Sequence, residues 1–411
     1  MENNKVSFGT RCKNVLKKDW AQTIVTSLLC AIIGIFVGFL VLLVINPANA
    51  FEGILNTIKN FFMFTRQTTI MKYFGQTLAK TAPLILAGLS ILFAYKAGLF
   101  NIGASGQYLI GILFSCYAAL EWNLPWYVCL ILAALGGAIW GGLTGLLKAY
   151  FNVNEVISGI MLNWIGLYIV NALLQLSSNV WDNSLSKTFK VTSISPSFLP
   201  NVGLSAIFGN NTVVGIGMLL VPIIAIVVYI VLNKTTFGYE IQATGHNRNA
   251  ADYVGMNVKK NIIITMMISG MLAALAAPLM YLNGYTQYEL TASVPSMGFD
   301  GISAAFLGGL SPIGVIFSSY FIMHITDGGS TITDLGYSPQ TAQVITSFII
   351  YLCAFVNFAK SFIVKKLSYQ EVIKSEEVGD RSSKVEKIAQ EEKKKEKSLA
   401  KKKSKSSKED K

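Results

Sequence analysis

Stretches of 24 residues or more without an Asp, Glu, Lys or Arg recur along this chain, among them 20–51, 97–120, 122–147, 156–181, 261–288, 301–326 and 335–359. A helix needs about 20 apolar residues to cross the hydrocarbon layer of a membrane. Backbone amides find no water there, so such runs must be helices or be shielded by other helices. The pattern predicts an all-α integral membrane protein. Charge placement agrees: of 56 charged residues, 26 fall in 364–411, leaving 30 for the first 363. With 52% of the chain hydrophobic and 14% charged, that body has too little charge to cover a water-exposed surface, which excludes a soluble globular enzyme.

Lys5, Arg11, Lys13, Lys17 and Lys18 precede an apolar stretch, and Ala48-Asn49-Ala50 resembles a signal-peptide cleavage site. Secretory apolar cores run about 7–15 residues, whereas 21–45 is a full span, so the stretch is read as an uncleaved first helix. Further helices are expected at 77–95, 106–120, 126–147, 155–176, 213–232 and 261–283. Lys96, Lys148, Lys234, Arg248, Lys259, Lys260 and the tail then lie inside, as the positive-inside rule asks. Lys59, Arg66, Lys72, Lys187 and Lys190 fall outside, so the bias is incomplete. With both termini cytoplasmic, one or three crossings follow the seventh helix. Gly308-Gly309 and Ser311-Pro312 interrupt the run at 299–326, which favours two short helices there and about ten transmembrane segments.

The expected organisation is a basic cytoplasmic arm (1–20), a transmembrane domain (21–363) with an external loop at 176–212 and a cytoplasmic loop at 233–260, and a charged disordered tail (364–411). Sixteen basic and ten acidic residues with little apolar content make the tail a solvated extension. No nucleic acid partner is expected for it. Cys12 falls in the arm and Cys30, Cys116, Cys129 and Cys353 fall in spans, with no metal-ligand spacing, so free thiols and no metal site are expected.

Three features carry polar chemistry. Gly98-Leu99-Phe100-Asn101-Ile102-Gly103-Ala104-Ser105-Gly106-Gln107 places three glycines and two amides at a helix junction, where lipid-facing backbone is costly. Asn154 and Glu155 open the next helix but one, and Gly159, Asn163, Asn171 and Gln175 then share one broad face at helical spacing. That stripe is read both as interhelical hydrogen bonding and as a polar path. In the loop from Thr236 to Met256, Asn249 is expected to cap a short helix through Ala250, Ala251, Tyr253 and Val254, ended by Gly255. Ile110-Gly111-Ile112-Leu113-Phe114-Ser115 also recurs in pattern as Ile313-Gly314-Val315-Ile316-Phe317-Ser318, each after a glycine-rich break, which suggests two related repeats with discontinuous helices.

The 98–107 stretch, Asn154-Glu155-Val156-Ile157, Met161-Leu162-Asn163, the loop from Gly238-Tyr239-Glu240 to Val254-Gly255, and Phe306-Leu307-Gly308-Gly309-Leu310-Ser311-Pro312-Ile313-Gly314 resemble the permease subunits of bacterial ABC importers. The resemblance is to the branched-chain amino acid and simple-sugar permease superfamily, within it to the larger permease of nucleoside importers, and covers about 20–360. It implies a plasma-membrane permease forming half of a translocation path. The implied partners are a second permease in a heterodimer, two cytoplasmic ABC ATPase subunits, and an external substrate-binding lipoprotein that delivers the nucleoside. It also implies ATPase coupling by Gly245, Asn247, Ala250, Ala251, Tyr253, Val254 and Gly255. His246-Asn247-Arg248 departs from relatives that often carry Asn-Pro there. Asn101, Gln107, Glu155, Asn163 and Asn171 are the candidate path residues.

The chain has no G-x-x-x-x-G-K-[ST] sequence, so ATP binding is expected in a partner. No cofactor and no catalytic residue are expected either. The only histidines are His246 and His324, and HExxH and GxSxG motifs are absent. His324 with Asp327 reads as an interfacial polar pair. A simple sugar or a branched-chain amino acid is the alternative cargo. A stand-alone secondary transporter is the rival mechanism, but it would usually place a coupling carboxylate deep in the bundle.

Overall fold

The computed structural model describes residues 19–353 and 355. The tail, Cys12 and the basic residues of the arm lie outside them. The first apolar run forms α1 (Asp19–Ile45), and Pro47 starts a 3-10 turn leading into α2 (Ala50–Lys59). α3 (Gln67–Lys96) starts well before the expected 77. Its 30 residues make a rod of about 45 Å at 1.5 Å per residue, longer than the hydrocarbon layer is thick. Its first residues, Gln67, Thr68, Thr69 and Lys72 among them, are polar, and the charge of Lys80 inside it is met by Asp327.

α4 (Ala104–Cys116) ends in a π-helical turn, Tyr117–Glu121. α5 (Trp126–Phe151) stops at Asn152, which adopts the left-handed conformation, and α6 (Glu155–Leu174) begins three residues later. The loop at 176–212 amends the all-helical expectation. It carries an antiparallel pair, β1 (Trp181–Asp182) and β2 (Lys187–Thr188), with Trp181 opposite Thr188, then the single turn α7 (Leu204–Ile207). Next come α8 (Gly217–Lys234), α9 (Thr236–His246), α10 (Arg248–Tyr253) and α11 (Val258–Tyr281). The glycine-rich run breaks into α12 (Met297–Leu307) and α13 (Pro312–Ser330), and α14 (Pro339–Cys353) follows.

Among the described residues, α3, α5, α6, α8 and α11 are long and apolar enough to cross a membrane. α3 is the hub: its most apolar window is 89% buried, against 28% for α8 at the rim. α11 packs beside α3, α4 and α5. The α5 face that meets it is a glycine ladder, Gly137, Gly141 and Gly145, spaced one helical turn apart. A Cβ at Gly141 would lie 3.0 Å from the Gly270 Cα, and one at Gly145 would lie 2.9 Å from the Ile263 Cα. With no side chains between them the two backbones touch, and dispersion acts over the whole crossing, the usual source of helix association in lipid. Cys116 and Cys129 are buried free thiols in this core.

Candidate functional site

The break between α3 and α4 is built on Gly98, whose φ of +67° is strained for any residue with a Cβ. The turn brings Asn101 beneath α3. Its Nδ2 donates to Gln107 Oε1 and to Ser269 Oγ, each at 2.7 Å, and reaches Ser90 Oγ at 3.2 Å. Gln107 Nε2 answers Asn101 Oδ1 at 3.1 Å, and Ser269 Oγ donates to the Ser90 carbonyl at 2.8 Å. All four side chains are buried. The network ties α3, α4 and α11 together, and it meets the polar groups' needs where an unmet one would cost several kcal/mol, roughly 2–7.

α4 begins at this break without a capping side chain of its own, because its N-cap is Gly103. The first amides of a helix have no internal partner, and Asn163 of α6 supplies one. Its Oδ1 accepts from the Gly106 N–H at 2.7 Å, while its Nδ2 donates to the Ile102 carbonyl at 2.9 Å. Glycine makes the approach possible, since a Cβ at Gly106 would lie 2.9 Å from the Asn163 Cα. Asn101, Gln107 and Asn163 therefore form one cluster.

Glu155 and Asn171 lie elsewhere on α6. Asn154 caps the helix through the Val156 N–H at 2.8 Å, and Glu155 pairs with Lys148 at 2.8 Å across the α5–α6 turn. Near the opposite end, Asn171 Nδ2 donates to the Thr291 carbonyl at 2.8 Å, and Tyr288 donates its hydroxyl to Asn171 Oδ1 at 2.7 Å. The stripe thus joins α6 to three different neighbours.

The second assembly is the pair α9 and α10. Thr235 caps α9 through the Gly238 N–H at 3.1 Å, and Asn261 of α11 donates to Thr244 Oγ1 at 3.2 Å. Gly245 rests directly on the α3–α4 break: a Cβ there would lie 2.7 Å from both the Ala97 carbonyl carbon and the Gly98 nitrogen. α10 is capped by Asn247, which accepts from the Ala250 N–H at 3.1 Å, and not by Asn249 as the sequence suggested. The structure starts the helix two residues earlier, at Arg248, where the extended backbone of Asn247 aims its side chain at the free amides. Gly255, with φ +85°, closes it: its N–H bonds Asp252 and the Met256 N–H bonds Ala251, each at 3.0 Å. Ala251 faces inward and is buried, whereas Ala250, Tyr253, Val254 and Gly255 are exposed, Tyr253 to 92%.

Sequence reasoning missed the partners of Asp327 and His324. They do not pair with each other. Asp327 Oδ1 meets Lys80 Nζ at 2.6 Å and its Oδ2 accepts from Thr77 at 2.8 Å. His324 Nε2 donates to the Ile58 carbonyl at 2.8 Å, and α2 is the element the sequence did not disclose. A lysine inside an apolar span was the available signal for an intramembrane partner. Among the described residues no group of three or more His, Cys, Asp or Glu side chains is placed to hold a metal ion.

Residues 73–354 match the family described as branched-chain amino acid transport system / permease component. The guanosine ABC transporter permease protein NupP of Bacillus subtilis is 31% identical over 350 residues, covering 83% of this chain and 95% of that protein. The nucleoside ABC transporter permease protein NupB of Lactococcus lactis is 32% identical over 345 residues, 81% of this chain and 91% of its own length. A second Bacillus subtilis protein, the guanosine ABC transporter permease protein NupQ, is 26% identical over 69% of this chain and 90% of its length. No solved structure matches the chain. On the strength of the family match and of two relatives aligned over nearly their whole length, this multi-pass membrane chain belongs to the branched-chain amino acid transport system permease family.

Proposed function

We propose that the chain is one permease half of an ATP-driven importer of nucleosides, paired with a second, different permease. Two cytoplasmic ABC ATPase subunits and an external substrate-binding lipoprotein complete the machine. The observation that carries this reading is the backbone contact between Gly245 and Gly98. Through it, a movement imposed on exposed α10 is passed by α9 to the break where α3, α4 and α11 are tied by Asn101 and Gln107. ATP closing an ATPase pair against α10 then biases the bundle between two packings, the discrete kind of change that packed helices support. ATP hydrolysis belongs to the partners, and Tyr253, Val254, Ala250 and Gly255 form the face offered to them.

The nucleoside assignment is supported by the names of the two relatives above 30% identity, and the heterodimer by two Bacillus subtilis permease proteins both aligning with this chain. In this reading the basic arm (1–20), the 233–260 loop and the tail (364–411) are cytoplasmic, and 176–212 is external. About ten segments cross or enter the membrane as two related repeats. The breaks at 97–103 and 308–311, each followed by an Ile-Gly motif, support that repeat.

The test is uptake of labelled uridine, guanosine, ribose and leucine in cells lacking and then regaining this gene, with the partner ATPase disabled in parallel. Loss of nucleoside uptake in both strains is the expected result. Uptake that needs this chain but not the ATPase would overturn the mechanism, and lost ribose or leucine uptake with nucleosides unaffected would overturn the cargo. For the coupling face, Ala250→Arg is expected to abolish uptake at an unchanged membrane level. Ala251 is unsuitable for that test, because its burial would confound coupling with folding.

A further inference from the structure

Between α11 and α12 the chain is non-helical from Leu282 to Ser296, and two contacts fix its depth. At its upper part the Thr291 carbonyl is held by Asn171 at 2.8 Å. At its lower end the Pro295 carbonyl accepts from Ser105 Oγ at 2.9 Å. Ser105 is the neighbour of Gly106, whose N–H is held by Asn163. Asn163 and Asn171 stand eight residues apart on α6, about 12 Å along its axis. Four residues from Thr291 to Pro295 reach at most about 14 Å when extended, so this strip, bent at Ala292 and Ser293, runs down beside α6. α6, with 20 residues, is about 30 Å long, the thickness of the hydrocarbon layer, and Asn163 stands near its middle.

The descending strip is not covered. Ala292, Ser293 and Ser296 are exposed, and so is Phe299 in the first turn of α12. Beside them sits a carboxylate, half-buried Asp300, whose Oδ2 accepts from the Ser296 hydroxyl at 2.9 Å. Its Oδ1 takes no hydrogen bond among the described residues. Irregular backbone and a carboxylate cannot face lipid at this depth, and are tolerated only where they border protein or water.

We infer that the strip 291–300 lines the aqueous translocation path and that Asp300 is a mid-depth acceptor for the hydroxyl and ring N–H donors of a neutral, polar solute. This rests on the permease reading above and adds to it a residue and a ligand chemistry. A solute donor replaces water at Oδ1 while Ser296 holds the other oxygen, so the carboxylate is oriented before the solute arrives. One such bond is strong enough to replace hydration and weak enough to release the solute onward.

The test uses the assembled transporter in membrane vesicles. Ser293→Cys and Ser296→Cys are introduced after Cys12, Cys30, Cys116, Cys129 and Cys353 have been replaced by Ala. A membrane-impermeant thiol reagent is expected to label both positions in at least one of the ATP-free and ATP-bound states, and saturating lipoprotein with uridine is expected to slow the labelling. Asp300→Asn is expected to cut uridine uptake about tenfold at an unchanged membrane level, the scale of one charge-assisted hydrogen bond, with Asp300→Glu recovering part of it. Absence of labelling in both states, as when the second permease seals this face, overturns the inference, and so does uptake by Asp300→Asn equal to the parent's. Should Asp300→Asn fail to assemble, the labelling of Ser296→Cys decides alone. Parent vesicles that take up no nucleoside refute the proposed cargo, while the labelling still judges the path.

Discussion

Two of the interruptions of helical structure in this bundle treat their polar groups in opposite ways. The break between α3 and α4 closes on itself. Asn101, Gln107, Ser90 and Ser269 exchange hydrogen bonds, Asn163 takes the Gly106 amide and the Ile102 carbonyl, and the side chains are buried. The stretch from Leu282 to Ser296 is anchored at Asn171 and Ser105 but leaves Ser293 and Ser296 exposed. A polar residue in a membrane span is therefore not by itself a sign of a path. What separates a joint from a lining is whether the group's hydrogen-bonding capacity is filled by the protein's own atoms. On this criterion Asn101, Gln107 and Asn163 belong to a closed joint, their polar atoms bonded within the protein.

The largest effect should come from breaking the closed joint where α9 rests on it. Gly245→Ala places a methyl group 2.7 Å from the Gly98 nitrogen and the Ala97 carbonyl carbon, so backbone has to move. Overpacking of this kind costs about 1–3 kcal/mol. In the proposed coupling it falls on a contact through which movement of α10 would reach the break. Uptake is expected to drop by at least about tenfold, while the amount of protein in the membrane changes little. Uptake by Gly245→Ala equal to the parent's would show that the contact transmits nothing, and the joint would then be a passive one.

Next in size is Asn163→Ala, which leaves the Gly106 amide and the Ile102 carbonyl without their partner. Hydrogen bonds between membrane helices average about 0.6 kcal/mol and reach about 1.7. Two of them at a helix start should lower stability by about 1–3 kcal/mol, read as a reduced melting temperature in detergent. Asn163→Asp sharpens the result: its oxygen still accepts from Gly106 but cannot donate to Ile102, so an intermediate melting temperature is expected. A melting temperature for Asn163→Ala matching the parent's would count against the cap from α6.

The sequence disclosed the joint's location and not its nature. Gly98, Gly103 and Gly106 among Asn101 and Gln107 mark a break, and Gly255 marks the end of α10, because these positions act through local backbone geometry. Ser90 and Ser269 gave no sign of belonging to the network, since they come from two other helices and only packing brings them to Asn101. The cap of α10 was misplaced for a local reason: Asn247 and Asn249 are both good caps, and the choice depends on which has extended backbone. Asp300 was passed over because one carboxylate beside a loop is unremarkable until the loop is seen to run down beside α6. The lysine at 80 and the aspartate at 327 are 247 residues apart, and no pattern along the chain relates them.

The smallest expected effect tests the open side of the comparison. Asn171 holds the top of the descending strip through Thr291 and receives the Tyr288 hydroxyl. It is half-buried, and water can replace it at both partners, so Asn171→Ala should cost no more than about 1 kcal/mol of stability. Its consequence should be local: the strip loses its upper anchor but keeps the lower one at Ser105, so Ser293→Cys becomes quicker to react with an impermeant thiol reagent while Ser296→Cys is little changed. The same substitution at Asn163 should disturb the start of α4 and the melting temperature with it. If Asn171→Ala lowers the melting temperature as far as Asn163→Ala does, the strip is a second closed joint, and the distinction between joint and lining fails at this position.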